Sequence, residues 1–413
     1  MDSGFILQEL IHKQYGEKVD LFAKIAISKK VDCKGQIILM KKVLFILNYM
    51  NIGGTEKAFL NLVDTLPPEE YDVTLLLLEK KGGFLDQVPE RVHVITLDNY
   101  FPDIKSEIMD PPMKVCRSYM RKGRLLSAAG LFISHLIYKI TGNRTAFYRY
   151  TLRGIWKFEG FDEYHAYAGP FDFISALVAY RCYGGKKIQW IHFDILKFFF
   201  DRRTCESLYL SFDEIRVVSY EALDHFVKCV PKLKDKTTAF PNIVSFERCR
   251  DLAEKGEGFI DEFDGIRIVT LGRLSEEKGQ DIIPEIASVL KSDGYHFRWY
   301  LIGDGYLRET IEKRAEKFGC EKEIRFLGTK SNPYPYLKDA DIYVQTSVHE
   351  GFCLSLSEAK AFNLAIISTD FAGAHEQLNG YPGGYIAVRD QITMSKTIEM
   401  VINSLESQNE KNG

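Results

Sequence analysis

Two glutamates, Glu350 and Glu358, stand eight positions apart in a segment that could bind a charged, sugar-bearing ligand. Short apolar runs at 341–345 and 365–369 flank them, which predicts a strand, a loop, a helix and a second strand. Free backbone N–H groups at a helix start attract anions such as a diphosphate. Ionised carboxylates accept hydrogen bonds from sugar and ribose hydroxyls. The segment therefore predicts a site for a diphosphate with a sugar at each end, which is a nucleotide-sugar.

Two cations follow another predicted strand, over residues 267–271. Arg273 and Lys278 lie in the loop after this strand, with Gly272 before them and Gly279 after them. An arginine fork and a lysine point charge can together neutralise a diphosphate and stabilise its charge as it leaves. The alternative, a pair of surface cations, is disfavoured by the strand and the glycines around them.

The first half of the chain supplies two further candidates. Gly53 and Gly54 come directly after the predicted strand 43–47 and before a predicted helix, where a backbone without side chains can approach a phosphate or sugar closely. His192 ends the apolar strand 188–192 and is a second candidate, although a lone histidine at a strand end is more often structural.

These motifs together resemble those of retaining glycosyltransferases of the GT-B fold, the large family 4 in particular. The glutamate pair resembles the family's Glu-x7-Glu motif, and the segment 271–279 resembles its Gly-Arg…Lys-Gly diphosphate clamp. The segment 51–56 is similar to its N-terminal double-glycine loop, and 369–377 to the turn after the next strand, with its acidic residue. The resemblance extends from about Lys41 to about Val388.

The resemblance implies an α/β GT-B architecture, in which two Rossmann-like domains with parallel sheets face a central cleft. Alternating strand and helix patterns favour the same kind of sheet. We expect an N-terminal extension over 1–40, an acceptor domain over 41–240, a nucleotide-sugar domain over 245–388 and a C-terminal helix or tail over 389–413. The extension is interpreted as peripheral, or as a start assigned too early, or as a helical appendage. In the resembling fold the terminal helix often packs back onto the first domain.

The resemblance also implies a role for each candidate. Glu358 is expected to accept from the ribose hydroxyls, and Glu350 to face the donor sugar and the diphosphate. His192 is expected to approach the donor sugar when the domains close, with Asp194 orienting it or touching the acceptor. The expected catalytic residues are His192, Glu350, Arg273 and Lys278. The expected donor-binding residues are Gly53, Gly54, Arg273, Lys278, Glu350, Gly351, Phe352, Cys353, Leu354 and Glu358.

Within this set, residues 352–354 are expected to contribute backbone N–H groups, and Cys353 is interpreted as a small buried side chain rather than a nucleophile. Glu56 and Lys57 are interpreted as helix surface. Asp339 and Asp341 match the Asp-x-Asp motif of metal-dependent transferases, but they stand at a helix end before a buried strand. We therefore interpret both as structural and expect no metal and no cofactor.

The predicted reaction is transfer of a sugar, with retention at the anomeric carbon, from a UDP-sugar to a glycan or lipid-linked acceptor. Retaining glycosidases use a carboxylate nucleophile. No residue here clearly fills that role, so we expect front-face attack assisted by the leaving diphosphate, as the resemblance implies. The family's bacterial members mostly build capsule, lipopolysaccharide or teichoic-type polymers, which predicts a role in cell-surface polysaccharide synthesis.

Three alternatives remain open at this point. A sugar-nucleotide epimerase has the same fold, although such enzymes usually differ around the glutamates. An NAD(P)-dependent oxidoreductase also has two α/β domains, but Gly303-Asp304-Gly305 lacks the third glycine of a dinucleotide fingerprint. A catalytically silent partner subunit is disfavoured because the candidate cations and both glutamates are present.

Composition and charge limit the location and the partners. The net charge of -3 indicates no nucleic-acid partner. The eight cysteines show no CxxC pairs, which favours a reducing cytosol. No apolar run approaches the roughly 20 residues that span a bilayer, and the first residues show no signal-peptide pattern.

One segment, 114–158, has an unusual charge pattern. It contains ten Lys or Arg and no Asp or Glu, interleaved with aromatics and leucines. This pattern suits peripheral contact with an anionic membrane surface. The alternative is a solvated basic helical pair packed on the sheet. We expect a cytoplasmic protein that is peripheral on the inner face of the cell membrane.

Overall fold

The protein is seen here as a computed structural model, which describes residues 29–31, 37–98, 101, 106–107, 110–169, 173–197 and 201–412. Most of the expected extension over 1–40 lies outside the described residues. Its described part contains two short antiparallel strands, β1 (Lys29–Val31) and β2 (Ile37–Leu39).

The first domain is built on a seven-stranded parallel sheet with the strand order β5-β4-β3-β6-β7-β8-β9. Its central strand β3 is fully buried from Val43 to Leu47, because helices cover both faces of a parallel sheet. The strands are β3 (Lys41–Leu47), β4 (Tyr71–Leu77), β5 (His93–Thr96), β6 (Glu163–Ala166), β7 (Lys186–Ile191), β8 (Glu214–Val217) and β9 (Thr237–Ala239).

The second domain repeats this plan with a six-stranded parallel sheet of order β12-β11-β10-β13-β14-β15. In both sheets the strand order reverses beside the first strand, which creates a crevice at the carboxyl ends of the strands where ligands bind. The strands are β10 (Ile266–Leu271), β11 (Phe297–Ile302), β12 (Ile324–Gly328), β13 (Ile342–Gln345), β14 (Ala365–Thr369) and β15 (Gly384–Ala387).

Helices connect the strands and cover both sheets. In the first domain they are α1 (Gly54–Thr65), α2 (Pro112–Arg121), α3 (Leu125–Thr141), α4 (Thr145–Thr151), α5 (Phe173–Arg181), α6 (Arg202–Tyr209) and α7 (Tyr220–Cys229). After them come α8 (Phe246–Ala253), α9 (Ile283–Ser292), α10 (Arg308–Lys317), α11 (Tyr334–Lys338), α12 (Leu354–Lys360), α13 (Ala374–Leu378) and α14 (Gln391–Asn412). Short 3₁₀ turns occur at Leu85–Gln87, Leu152–Gly154, Ile195–Lys197, Pro231–Lys236 and Gln280–Ile282.

The observed sheets confirm the predicted fold class of two Rossmann-like domains. The terminal helix α14 differs from the expectation that it packs onto the first domain. Its buried residues Met394, Ile398, Val401 and Ile402 belong to the apolar core of the second domain, because they meet the helix and sheet residues there.

The basic segment 114–158 forms three helices, α2 to α4, rather than a helical pair. Among the described residues, no helix is both long enough and apolar enough to cross a membrane.

Candidate active site

The candidate residues meet because each follows the carboxyl end of a strand near a switch point. Arg273 and Lys278 follow β10, and Glu350 follows its neighbour β13. In the first domain, Gly53 and Gly54 follow β3, and His192 follows β7. Parallel strands place these loops at one edge of each sheet, and the two edges face each other across the cleft.

Lys278 and Glu350 form the charged centre of the second domain's edge. The Lys278 ammonium pairs with Glu350 Oε1, and the Ser347 hydroxyl donates to the same oxygen at 2.8 Å. Gln345 Nε2 donates in turn to Ser347 Oγ at 2.6 Å. Burial opposes the charge on the lysine, but the adjacent carboxylate outweighs it, so the pKa of Lys278 is raised. Lys278 is therefore a cation at neutral pH.

The loop that contains Gly351 joins the two domains. A Cβ on Gly351 would lie 2.2 Å from the backbone oxygen of His192, so only glycine allows this approach. Phe352 and Leu354 are buried in the core of the first domain, although they belong to the second. This loop is therefore held between the domains by backbone contact and apolar packing.

Cys353 lies in the same loop with an unusual backbone. Its φ of 67° and ψ of 79° are left-handed, and it caps the start of α12. Gln377 Nε2 donates to the carbonyl oxygens of Phe352 and Cys353, which stabilises this conformation. Burial raises the pKa of the Cys353 thiol to about 12, which disfavours a thiolate nucleophile.

Glu358 is buried on α12 and has an aromatic partner. The Tyr334 hydroxyl donates to Glu358 Oε1 at 2.8 Å. The Lys57 ammonium of the first domain lies 4.8 Å from the centre of the Tyr334 ring and 5.3 Å from that of Phe84. The interpretation of Lys57 as helix surface was wrong, because this side chain crosses the cleft and is only 8% exposed.

Arg273 is exposed in the loop of residues 272–279, called here the clamp loop. Two glycines that the sequence did not assign to the site, Gly303 and Gly305, support this loop. A Cβ on Gly303 would lie 2.0 Å from the Gly272 oxygen, and one on Gly305 would lie 2.2 Å from the Leu274 oxygen. Because neither glycine has a side chain, the backbone of the clamp loop can lie close to the turn after β11.

The double-glycine loop begins α1. Gly53 is the N-cap, and the Glu56 carboxylate lies beside it, since a Cβ on Gly53 would lie 2.6 Å from Glu56 Oε2. Burial raises the pKa of Glu56 to about 6, with Arg273 acting in the opposite direction. A Cβ on Gly54 would meet no heavy atom within 4 Å, so the space beside it is open.

His192 directly follows β7 and is buried in the first domain. This residue is 7% exposed, and its ring stacks on that of Trp190 with 6.0 Å between the ring centres. Neither of its ring nitrogens has a hydrogen-bond partner among the described residues. Burial lowers the pKa of His192 to about 3, so the imidazole is neutral. The expectation that Asp194 orients it was wrong, since this carboxylate contacts His225 Nδ1 at 3.1 Å.

Asp341 has a structural contact, as expected. Its Oδ2 accepts from the backbone N–H of Arg267 at 2.8 Å, at the amino end of β10 and away from the site. Among the described residues, no group of three or more His, Cys, Asp or Glu side chains is arranged to hold a metal ion.

Comparison with solved structures agrees with this architecture. The Anabaena protein HepE in complex with UDP-glucose is similar with a TM-score of 0.59 at 15% identity, over 90% of this chain and 91% of that one. Staphylococcus aureus TarM, solved with UDP among its ligands, is similar with a TM-score of 0.62 at 14% identity, over 88% and 93%. The fold is GT-B, the two-domain fold of many glycosyltransferases.

The family comparison concerns the second domain. Residues 261–412 match the model of the family described as glycosyl transferases group 1. The chain therefore contains a group 1 glycosyltransferase domain, and this domain carries the clamp loop and both glutamates.

Curated relatives match over different lengths. An uncharacterized glycosyltransferase of Haemophilus influenzae is 23% identical over 370 residues, which are 89% of this chain and 92% of that protein. A 4-alpha-N-acetylgalactosaminyltransferase of Campylobacter jejuni, named for a diphospho-undecaprenol substrate, is 27% identical over 113 residues, 27% of this chain and 30% of that protein. The match to an uncharacterized glycosyltransferase of Methanocaldococcus jannaschii likewise spans only 35% of its length.

Proposed function

We propose that the protein transfers a sugar, with retention, from a UDP-sugar to a glycan or lipid-linked acceptor in cell-surface polysaccharide synthesis. The observation that carries this proposal is the Lys278–Glu350 pair at the switch point of the second sheet, with Arg273 in the same loop as Lys278 and Glu358 on the helix that follows Glu350. Two cations suit the diphosphate, and two carboxylates suit the hydroxyls on either side of it.

The donor is proposed to lie mainly on the second domain. Glu358 takes the ribose hydroxyls, with Tyr334 holding its carboxylate in place through a hydrogen bond. Arg273 and Lys278 take the diphosphate, with backbone N–H groups of residues 351–354 beside them. The UDP-glucose complex of the similar HepE structure supports a uridine nucleotide.

The two carboxylates of the site are both engaged by other groups. Glu350 pairs with Lys278, and Glu358 accepts from Tyr334. Neither is placed as the free nucleophile of a double displacement. We therefore favour front-face attack, in which the acceptor hydroxyl loses its proton to the departing diphosphate. The cations stabilise the leaving charge without a metal.

His192 is proposed to contact the donor sugar from the first domain. A neutral imidazole has one N–H to donate and one nitrogen to accept. Both are buried without partners among the described residues, which leaves them available for sugar hydroxyls. Gly53 and Gly54 are proposed to let the donor approach the start of α1 closely.

The acceptor is proposed to bind to the first domain, on the cytoplasmic side of the membrane. The Campylobacter relative, which is named for a substrate on diphospho-undecaprenol, supports a lipid-linked acceptor. That match covers 27% of this chain and 30% of the relative, so it supports the class of acceptor and not its identity.

The first experiment is a thermal-shift screen of UDP-, GDP-, ADP- and CDP-sugars without metal. Stabilisation by UDP-sugars is expected for the wild type and is expected to be lost in Glu358→Gln. The control is Glu399→Gln, because Glu399 is a carboxylate of the same domain on α14. This variant should keep the thermal shift by UDP-sugars. A shift with NAD(P) but with no nucleotide-sugar would overturn the proposal.

The stereochemistry is tested on the product. NMR of the new glycosidic bond should show the anomeric configuration of the donor, and EDTA should leave the rate unchanged. An inverted product would contradict the retaining mechanism. Turnover of UDP-GlcNAc without an acceptor would instead indicate an epimerase.

A further inference from the structure

The helix α3 exposes an unusual amount of apolar surface. Leu126 is 90% exposed, Ile140 75% and Leu125 65%. Side chains of this size are normally buried, and contiguous exposed apolar patches mark binding surfaces. Further exposed residues of the same helix are Phe132, Ile133, Leu136 and Ile137.

The exposed residues share one side of α3. Ala128, Leu131 and Ser134 form the buried side, which packs against α2 and α4. Leu126, Ile133, Ile137 and Ile140 recur at helical spacing on the other side. A helix that is apolar all round requires a second apolar partner. This exposed apolar side argues against the alternative of a solvated basic helical pair packed on the sheet.

A cavity rich in arginine lies beside the apolar face. It has a volume of about 300 Å³ and is lined by Arg149, Leu152, Arg153, Tyr180 and Arg181. None of these lining residues is acidic. Arg153 already donates to the Tyr150 carbonyl, and Arg181 Nε donates to the Trp156 carbonyl. The remaining N–H groups of the three guanidiniums around the cavity suit a phosphate.

The cavity is linked to the start of α3 by two side chains. Arg153 donates to Ser127 Oγ at 3.3 Å, and the Tyr150 hydroxyl donates to the Ser127 carbonyl at 3.0 Å. Ser127 directly follows Leu126, the most exposed leucine of the helix. The apolar face and the cationic cavity thus adjoin.

Hydrogen bonds attach the helices α2 to α4 to the rest of the first domain. Asn143 Nδ2 donates to Ser207 Oγ at 2.8 Å, and the Arg144 backbone N–H donates to Thr204 Oγ1 at 2.8 Å. Both partners lie on α6, which follows the loop after His192. A ligand on α3 would therefore hold the first domain in a fixed orientation.

We infer that α2 to α4 dock on an anionic lipid bilayer, with the exposed side of α3 in the acyl boundary and a lipid phosphate in the arginine-lined cavity. Charge complementarity selects this partner, since 114–158 carries ten cations and no acidic residue. The inference goes beyond the proposed function, because docking does not depend on sugar transfer.

The test is sedimentation of the full chain with vesicles of phosphatidylcholine alone or mixed with phosphatidylglycerol. The wild type is expected to bind only the mixed vesicles. Leu126→Ser with Ile133→Ser should weaken binding at least about tenfold, since two large apolar side chains leave the bilayer. The matched control is Ile260→Ser with Ile392→Ser, which are 92% and 64% exposed on the second domain.

A second pair of substitutions tests the arginine-lined cavity. Arg149→Gln with Arg153→Gln should reduce the preference for phosphatidylglycerol, and Arg308→Gln with Arg325→Gln on the second domain should not. Inorganic phosphate should fail to displace the protein from vesicles. Displacement by phosphate would assign the cavity to a free anion and overturn the lipid site.

Two results would overturn the docking itself. One is equal binding of the wild type and the Leu126→Ser, Ile133→Ser variant to the mixed vesicles. The other is a dimer, seen by light scattering, that dissociates in this variant while no vesicle is bound. The face would then be an interface between two copies of the chain. Thermal unfolding of each variant checks that the fold is retained.

Discussion

At Gly54, the absence of a side chain leaves space that the donor is proposed to use. A Cβ there meets no heavy atom within 4 Å, and its φ lies outside the left-handed region. Gly54→Ala should therefore leave the melting temperature unchanged or slightly raised, because alanine is the better helix former. The donor KM should rise about tenfold or more, because the methyl group obstructs the close approach of a diphosphate.

Steady-state kinetics and thermal unfolding of Gly54→Ala separate these two effects. The control is Gly154→Ala, a glycine that also has no heavy atom within 4 Å but lies away from the cleft. Unchanged donor kinetics in Gly54→Ala would show that the donor does not approach the start of α1.

His192 makes stability depend on pH. Burial lowers its pKa to about 3, so the folded protein keeps it neutral while the unfolded chain protonates it below about 6.5. The contribution of the neutral, buried His192 to the free energy of unfolding is fully present above pH 6.5. It is lost as the pH falls toward 3, by up to about 1.4 kcal/mol per pH unit. His192→Gln lacks this loss. Its free energy of unfolding relative to that of the wild type should therefore be higher at pH 5.5 than at pH 7.

Urea denaturation at both pH values measures this difference. His375→Gln, whose histidine side chain is 66% exposed, is the control and should follow the wild type. Parallel pH dependence in the wild type and His192→Gln would show that His192 is solvated in solution.

Among the structural elements, the clamp loop depends on the turn after β11. Gly303 has a φ of 143°, and an added Cβ would lie 2.0 Å from the Gly272 oxygen, so alanine must displace the loop. Gly303→Ala should cost about 2–4 kcal/mol of stability and abolish the thermal shift by a UDP-sugar. Gly294→Ala, with a φ of 86° and open space, should cost only about 1 kcal/mol and keep the shift.

Thermal unfolding of both glycine variants, with and without donor, makes the comparison. Equal donor shifts in the two variants would mean that the position of the clamp loop does not control donor binding.

For the whole molecule, contacts across the cleft couple the domains. Lys57 lies over the ring of Tyr334, and Glu376 accepts from the backbone N–H groups of Tyr220 and Glu221 at the start of α7. Asp64 and Arg248 pair across the same boundary. Since Tyr334 also contacts Glu358, the Lys57 contact links domain closure to the proposed ribose carboxylate.

Lys57→Met removes the cation and keeps the apolar stem. A partly buried cation–π contact contributes about 1–2 kcal/mol, so the ratio of closed to open molecules should fall about fivefold or more. We expect a higher donor KM and a larger radius of gyration in small-angle X-ray scattering with UDP present. Lys313→Met, whose lysine side chain is 70% exposed on α10, is the control. A radius equal to that of the wild type would argue against this coupling.

The sequence alone determined the fold class and most of the strands, because strands buried on both faces of a parallel sheet appear as continuous apolar runs. It did not indicate β6, which pairs directly with β3. This strand contains Glu163 and His165, which bond to each other, and it has only four residues. A buried polar pair interrupts the apolar pattern on which such predictions depend.

The sequence also supplied the candidate site residues, since clamp cations and paired glutamates are separated by short, recognisable spacings. The tertiary structure alone decided their partners. The Lys278–Glu350 pair, the contact of Lys57 with Tyr334 and the separation of Asp194 from His192 join residues from different strands or domains. The same holds for the packing of α14 and for which side of α3 is exposed. Such contacts depend on where loops meet in space, and local patterns of residue type do not specify that.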